Sequence, residues 1–185
     1  MGENSAERLD EDLKHLIEMA RNKATEHRVL AIVCCAFIED ALTGVISVRL
    51  PGITPELKAR MFGSEKSAGP LSAVVSKIDF AQALGALTPG AAEELRLIAQ
   101  IRNRFAHRIR VASFEDSPVR DLVVKLDMEE KLVGFLKAHG AERPSAPFGQ
   151  SLSGQFVFTA ARLAQGLRRL IDQPTGHLSA LSEPA

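Results

Sequence analysis

The 185-residue chain carries 23 basic and 23 acidic side chains, so its formal net charge is zero. This balance argues against a dedicated nucleic-acid-binding domain, which is usually strongly basic, and leaves only a local patch for such a role. Hydrophobic residues make up 45% of the chain, as in a soluble globular protein that buries one core. The aromatic residues are nine Phe, without Trp or Tyr, which disfavours a stacking platform for single-stranded nucleic acid.

The two cysteines, Cys34 and Cys35, are adjacent within an apolar run. Neighbouring cysteines do not form a disulfide framework, so we expect both to be buried and reduced in a cytoplasmic protein. The N-terminal residues lack the basic and apolar regions of a signal peptide. The longest strongly apolar run, Val29 to Ile38, covers ten residues, whereas a membrane span needs about 20. We therefore expect no membrane insertion.

Helical periodicity runs through the first half of the chain. An amphipathic helix is predicted from Ser5 to about Arg21. A second helix, from Glu26 to about Leu50, is apolar nearly all round, which predicts a central position in the fold. A short helix is predicted from Thr54 to Met61 with Pro55 at its first position. A further long helix is predicted from Pro70 to about Leu84.

The second half of the chain is also predicted to be helical. Thr88-Pro89, an N-cap followed by proline, begins a helix that extends to about Ile109. Shorter helical stretches are predicted from Pro118 to about Leu126 and from Met128 to Ala138. The last predicted helix spans about Leu152 to Ile171, and residues 173–185 are predicted to be a disordered tail.

The predicted fold is an all-α, single-domain helical bundle that spans residues 1–172. No stretch shows sustained strand alternation apart from the weak run from Ile109 to Phe114, and no internal repeat is present. Because the helix from Glu26 to Leu50 is apolar on nearly every side, one domain is not expected to cover all of its faces. We therefore expect a homodimer.

The predicted helix from Thr88 to Ile109 carries the side chains best suited to binding or chemistry. One line of residues at helical spacing is predicted to face the core: Leu95, Ile98, Arg102, Phe105 and Ile109. A second line is polar throughout: Arg96, Gln100, Asn103, His107 and Arg110. Arg102 therefore lies within an apolar stripe, and we predict a buried ion pair between Arg102 and Asp40, which is predicted to point at packed surface.

Several short blocks in this order resemble the MltR family, the mannitol operon repressor and its paralogues. The blocks are Phe62-Gly63, Pro70-Leu71-Ser72, Lys77 to Ala81, Ala83-Leu84-Gly85, and Ile98 to His107. The resemblance covers roughly Leu30 to Leu126, and Gln82 departs from it where the family often has an aromatic residue. It implies a transcriptional regulator of a sugar-alcohol uptake operon, or a paralogue with another target, rather than a metabolic enzyme.

The sequence shows no recognisable DNA-reading element, since a helix-turn-helix, a zinc spacing and a basic zipper are all absent. A repressor of this type is therefore expected to act through a protein partner rather than by direct base readout. The histidines outside the Arg102–His107 motif are scattered without ligand spacing. The loop from Phe62 to Gly69 contains Lys66-Ser67 but not the Gly-x-x-x-x-Gly-Lys-Ser/Thr spacing of a phosphate-binding loop. We expect neither a metal site nor a cofactor.

More loosely, Arg102-Asn103 followed by His107 is similar to the Arg-Asn-x-x-x-His signature of HEPN-type helical domains. That resemblance implies a metal-independent RNase site, with His107 as general acid or base, Arg102 as a phosphate clamp and Asn103 as an orienting group. In the alternative interpretation, Arg102 is paired with Asp40, while Asn103 and His107 satisfy a loop or the backbone. The structural interpretation is favoured, and no catalytic residue is assigned.

A third interpretation rests on charge. The segment from Leu95 to Phe114 contains no Asp or Glu. With Arg102 buried, four arginines remain for nucleic acid or a partner: Arg96, Arg104, Arg108 and Arg110. The alternative is a solvated helix face that complements the negative C-terminal end of the helix.

Overall fold

The structure is a computed structural model, and it describes residues 18–19, 26–64, 67–126 and 151–179. The predicted all-α fold is confirmed. Across the described ranges the chain forms helices α1 (His27–Val48), α2 (Pro55–Phe62), α3 (Val74–Ala83), α4 (Pro89–His107), α5 (Ser117–Val124) and α6 (Leu152–Asp172). Of the predicted helix from Ser5 to Arg21, only Glu18 and Met19 are described, and both are helical. The predicted helix from Met128 to Ala138 lies outside the described residues.

Local sequence signals set several of the helix ends. The Thr54 hydroxyl accepts a hydrogen bond from the Leu57 N–H at 3.2 Å and so caps α2, and the Thr88 hydroxyl caps α4 through the Ala91 N–H at 3.3 Å. In both helices a proline follows the cap, where its missing N–H is not needed. Gly85 follows α3 with a positive φ of 68°, a conformation that glycine adopts without a steric penalty.

The third helix begins later than predicted. It starts at Val74 rather than Pro70, because residues 70–73 are held in a turn. The Leu71 N–H donates to the Met61 carbonyl at 2.8 Å, and the Ser72 N–H donates to the Gly69 carbonyl at 3.1 Å. The loop after α2 is therefore bound back onto the end of that helix.

The central position of α1 is confirmed. It packs against α3, α4 and α6, and its buried residues are Leu30, Ala31, Cys34, Cys35, Ile38, Ala41, Leu42, Val45 and Ile46. The opposite side of α1 is open, because Val29 and Ile32 are each 40% exposed and Ala36 and Asp40 are also exposed. We name Val29, Ile32 and Ala36 the α1 outer face.

By length and composition alone, α1 is apolar enough to cross a membrane, with a mean hydropathy of 2.2 over an 18-residue window. The apolar stretch is thus longer than the ten-residue run from Val29 to Ile38. Half of the window is buried inside the protein, and the core helix of a soluble protein has the same properties.

Two of the ion pairs that join helices within the described residues have at least one buried member. Lys77 on α3 and Glu39 on α1 lie 2.5 Å apart, and Arg162 on α6 and Glu94 on α4 are also 2.5 Å apart, with side chains 14% and 6% exposed. Burial lowers the pKa of Arg162, and the Glu94 carboxylate opposes that shift. Such pairs fix the register of packed helices more than they stabilise them, because desolvation offsets much of the attraction.

Residues 173–179 differ from the predicted disordered tail. Leu178 is buried, its N–H donates to the Ala86 carbonyl at 2.8 Å, and its carbonyl accepts from the Thr88 N–H at 2.9 Å. The Arg49 guanidinium donates to the carbonyls of Leu84 and Gly176. These contacts attach the segment after α6 to the junction between α3 and α4. Residues 180–185 lie outside the described part of the chain.

Candidate interaction site at the end of α4

Helix α4 ends at His107 because Arg108 adopts an extended backbone conformation, with φ −118° and ψ 103°. The chain then turns, and the Val111 N–H donates to the Arg108 carbonyl at 3.0 Å. Residues 106–110 are five consecutive exposed residues, and we name them the α4 tip. Ile109 within this tip is 91% exposed.

The predicted core stripe of α4 is only partly correct. Leu95, Ile98 and Phe105 are buried as predicted, and Arg102 is half-buried. Ile109, however, lies in solvent, because the helix ends two residues before it and the helical spacing no longer applies.

Hydrogen bonds hold the turn at the α4 tip from the side of α1. The Arg28 guanidinium donates to the Ile109 carbonyl at 3.4 Å and to the Val111 carbonyl at 3.2 Å. Both acceptor carbonyls lie beyond the last residue of α4, in the turn itself. The turn is therefore bound to the first helix of the described fold.

Further hydrogen bonds hold the loop that follows the tip. The Asp116 carboxylate accepts from the N–H groups of Ser113 at 2.9 Å and Ala112 at 2.8 Å, and these two bonds hold the pKa of Asp116 below its usual value, with a smaller contribution from His27. The Phe114 N–H donates to His27 Nδ1 at 3.2 Å. The exposed tip thus projects from an ordered base.

An aromatic cluster underlies this base. The Phe114 ring lies 4.9 Å from Phe105 on α4, 5.0 Å from Phe156 on α6 and 5.1 Å from His27 on α1, measured between centroids. Tilted and edge-to-face aromatic pairs at this range each contribute about 0.5–1.5 kcal/mol beyond their buried area. The loop after the tip is therefore anchored to three helices through one side chain.

The predicted arginine patch is smaller than expected. Arg96 is engaged elsewhere, because its guanidinium pairs with Asp79 at 2.6 Å and donates to the Gln82 side chain at 2.8 Å. Gln82, the departure from the family pattern, is therefore a partner of Arg96. Arg104, Arg108 and Arg110 form no ion pair within the described part of the chain.

The predicted ion pair between Arg102 and Asp40 is absent. Arg102 donates instead to the Asn103 side chain, with 3.0 Å between Nη1 and Oδ1, and Asp40 is exposed. Helix α4 lies on the Cys35 side of α1, where both Arg102 and Glu39 act electrostatically on the Cys35 thiol. Asp40 follows Glu39 directly, which turns it about 100° further round the helix and away from α4.

The α1 carboxylate that contacts a neighbouring helix here is that of Glu39, and its partner is Lys77 on α3. Lys77 is only 5% exposed, and its Nζ lies 6.0 Å from the centroid of the Phe62 ring, a cation–π distance. Sequence reasoning missed this pair. The available signal was spacing, because Lys77 lies three residues after Val74 and four before Ala81, on the apolar side of α3.

The prediction that both cysteines are buried is confirmed. Desolvation raises the pKa of Cys34 to about 12 and that of Cys35 to about 11, although Arg102 opposes the latter shift. Both side chains are therefore thiols at neutral pH, and neither is a nucleophile.

Asn103 and His107 both face solvent on one edge of α4. The alternative that they satisfy a loop or the backbone is not supported, because within the described residues Asn103 bonds Arg102 and the His107 side chain has no hydrogen-bond partner. The described residues also contain no cluster of three or more His, Cys, Asp or Glu side chains that could hold a metal. The edge offers a guanidinium, an amide and an imidazole to an incoming group.

No protein-family model matches the chain, and no curated protein or solved structure is significantly similar to it. The similarities to the MltR family and to HEPN-type domains therefore rest on the residues quoted above.

Proposed function

We propose that this chain is a cytoplasmic regulatory protein that acts by binding, as a transcriptional repressor of the MltR type that works through protein contacts. The observation that carries the proposal is the α4 tip, with five consecutive exposed residues and Ile109 91% exposed. Sites for small molecules are concave and enclosed. A projecting turn with an exposed apolar side chain instead suits insertion into another macromolecule's surface.

Charge supports the same conclusion. Arg104, Arg108 and Arg110 are not neutralised within the described residues, so the tip has a local positive charge on a chain whose net charge is zero. Such a patch accelerates association with an acidic surface and selects against basic ones.

A protein partner is favoured over direct DNA readout by the direction of α4. Recognition helices usually present their N-terminal residues to base edges. The α4 tip is a helix C-terminal end, where the carbonyl groups carry partial negative charge. The arginines of the tip outweigh this partial charge of about half a unit, so the orientation of α4, rather than its charge, disfavours base readout.

Transcript measurements in the source organism test the proposal. Deletion of the gene should raise a defined set of transcripts, and the wild-type gene should restore them. The variant Arg108→Glu/Arg110→Glu should fail to restore them, whereas the control Arg120→Glu/Arg169→Glu, which makes the same charge change at exposed sites on α5 and α6, should succeed. An unchanged transcript profile after deletion, or full restoration by the tip variant, would contradict the proposal.

A second candidate function is metal-independent RNA cleavage. It is favoured by the hydrogen bond between Arg102 and Asn103, with the exposed His107 one helical turn further along. In this reaction the RNA 2′-oxygen attacks the adjacent phosphorus and the bond from phosphorus to the 5′-oxygen breaks. His107 would accept or donate the proton, and Arg102 would stabilise the charge that develops on the phosphate.

Incubation of the purified protein with RNA in EDTA separates the two candidates. An RNase should cleave, and His107→Ala should remove the activity, whereas His177→Ala, a change at another exposed histidine, should not. Absence of cleavage by the wild-type protein would exclude the second candidate and leave the binding function in place.

A further inference from the structure

We propose that the α4 tip docks onto the α1 outer face of a second copy of this chain, so that two copies form a symmetric dimer. This inference adds to the proposed binding function by naming the partner of the tip. It rests on the proposed function in one respect only, namely that the tip binds protein. Its parts are Ile109 with Arg108 and Arg110 on one copy, and Val29, Ile32 and Ala36 on the other.

The tip supplies an ordered apolar anchor. Single exposed apolar side chains are common on proteins, so exposure alone is not the argument. Here the backbone on both sides of Ile109 is held, because the Arg108 N–H donates to the Arg104 carbonyl at 3.1 Å and Arg28 donates to the carbonyls of Ile109 and Val111. A backbone segment that is already held loses little conformational freedom when its side chain binds.

The α1 outer face supplies a matching surface. It is the side of the central helix that the described elements do not cover, with Val29 and Ile32 each 40% exposed. Exposed carboxylates lie at its two ends, Glu26 before the helix and Asp40 three turns along it. On the tip, arginines flank the apolar Ile109, and on the α1 outer face, carboxylates flank the apolar Val29 and Ile32. An apolar centre with complementary charges around it is the arrangement found across specific interfaces.

The two surfaces are close together on one molecule, as a symmetric dimer requires. A twofold axis places the same patch of both copies in contact, so a tip and its docking face must be neighbours. Arg28, which binds the tip, lies next to Val29 in the first turn of α1. Each dimer would then contain two identical tip-to-face contacts.

Sedimentation, which reports the oligomeric state in solution, tests the proposed dimer directly. The full chain should change from monomer to dimer between about 1 µM and about 100 µM, the range of a micromolar Kd. Ile109→Ser should raise the Kd at least about tenfold, as expected for a central anchor. The control Val124→Ser, which alters a 60% exposed residue on α5, should leave the Kd unchanged.

Charge reversal provides a second, independent readout that does not depend on an apolar substitution. The tip variant Arg108→Glu/Arg110→Glu and the face variant Glu26→Arg/Asp40→Arg change only exposed residues, so both should fold, as circular dichroism can verify. Each alone should be monomeric at concentrations where the wild type dimerises. Mixed in equal amounts they should form a heterodimer, because one of its contacts has both charges reversed and the other is wild type.

A wild-type chain that is monomeric throughout, an Ile109→Ser variant as dimeric as the wild type, or a mixture that forms no heterodimer would each overturn the inference. These outcomes are separable from the transcript test. A dimeric tip variant that fails to repress would overturn the dimer contact and leave the regulatory role. A monomeric tip variant that still represses would overturn the role of the tip in repression and leave the dimer contact.

Discussion

Lys77 and Glu39 face each other across the packed α1–α3 interface, with 2.5 Å between Nζ and Oε1. The lysine is almost fully buried, whereas a third of the Glu39 side chain remains in contact with water. The pair therefore joins two helices at the boundary of the core. Because most of the Glu39 side chain is removed from water, its negative charge relies on Lys77 for compensation more than the charge of a fully exposed carboxylate would.

Removal of one member of this pair should be costly, while replacement of both should not. We expect Lys77→Ala to lower the free energy of unfolding by about 2 kcal/mol, less than for a fully buried pair because Glu39 is partly solvated. The double variant Lys77→Met/Glu39→Leu should lie within about 1 kcal/mol of wild type. Urea denaturation gives both values, and a double variant less stable than Lys77→Ala would show that the pair is a net source of stability.

Asp40 should contribute little to stability, because it is exposed and makes no ion pair with Arg102. Asp40→Ala is expected to change the free energy of unfolding by less than about 0.5 kcal/mol. A double-mutant cycle with Arg102→Ala should give a coupling energy near zero. A coupling above about 1 kcal/mol would mean that the two side chains do interact in solution.

Asp116 should make the free energy of unfolding depend on pH in the acidic range. Its folded pKa lies below the unfolded value because it accepts two backbone hydrogen bonds. The contribution is therefore present above the unfolded pKa of about 3.9 and is lost as pH falls through the folded pKa. Asp116→Ala should be less stable than wild type at neutral pH, and the difference should shrink towards pH 3, as measured by thermal unfolding across pH. A difference that stays constant with pH would assign the effect to packing.

The two thiols should be unreactive in the folded protein. With pKa values raised to about 12 for Cys34 and about 11 for Cys35, almost no thiolate is present at neutral pH. A thiol reagent such as DTNB should therefore react slowly with the native chain and label both cysteines within seconds in denaturant. Rapid labelling of one cysteine in the native state would indicate local opening of α1.

The hydrogen bond from the Phe114 N–H to His27 should help to hold the loop after the tip. His27→Ala leaves that partly buried donor unpaired, which should cost about 1–3 kcal/mol. His27→Asn, which retains an acceptor, should recover part of the loss. Thermal unfolding measures stability, and hydrogen exchange at the Phe114 amide reports the bond itself. Equal exchange rates in the wild type and His27→Ala would show that the bond adds nothing.

Helix positions could be predicted from the sequence because their signals are local. The threonine caps at Thr54 and Thr88, the prolines that follow them and the glycine at position 85 act within one turn of themselves. The apolar spacing of α1 likewise predicted its central position. Each of these inferences needs only the residues of a single element.

The partners of charged residues could not be predicted in the same way. Periodicity gives the angle of a side chain around its own helix, and it does not say which neighbouring helix lies at that angle. Spacing alone therefore pairs Arg102 with Asp40, whereas in the structure Arg102 donates to Asn103 and acts, with Glu39, on the pKa of Cys35. Ile109 was misplaced for another reason, because no proline or glycine marks the extended residue Arg108 at which the helix ends.

The aromatic cluster under the tip has a consequence for how the chain acquires its function. Phe114 contacts His27, Phe105 and Phe156, so the base of the tip is completed only when helices from both ends of the described chain have come together. We expect contacts between such distant segments to form late in folding, since each closes a long loop at a cost in chain entropy. A nascent or partly unfolded molecule would thus lack a properly shaped tip, and binding competence would itself report that folding is complete.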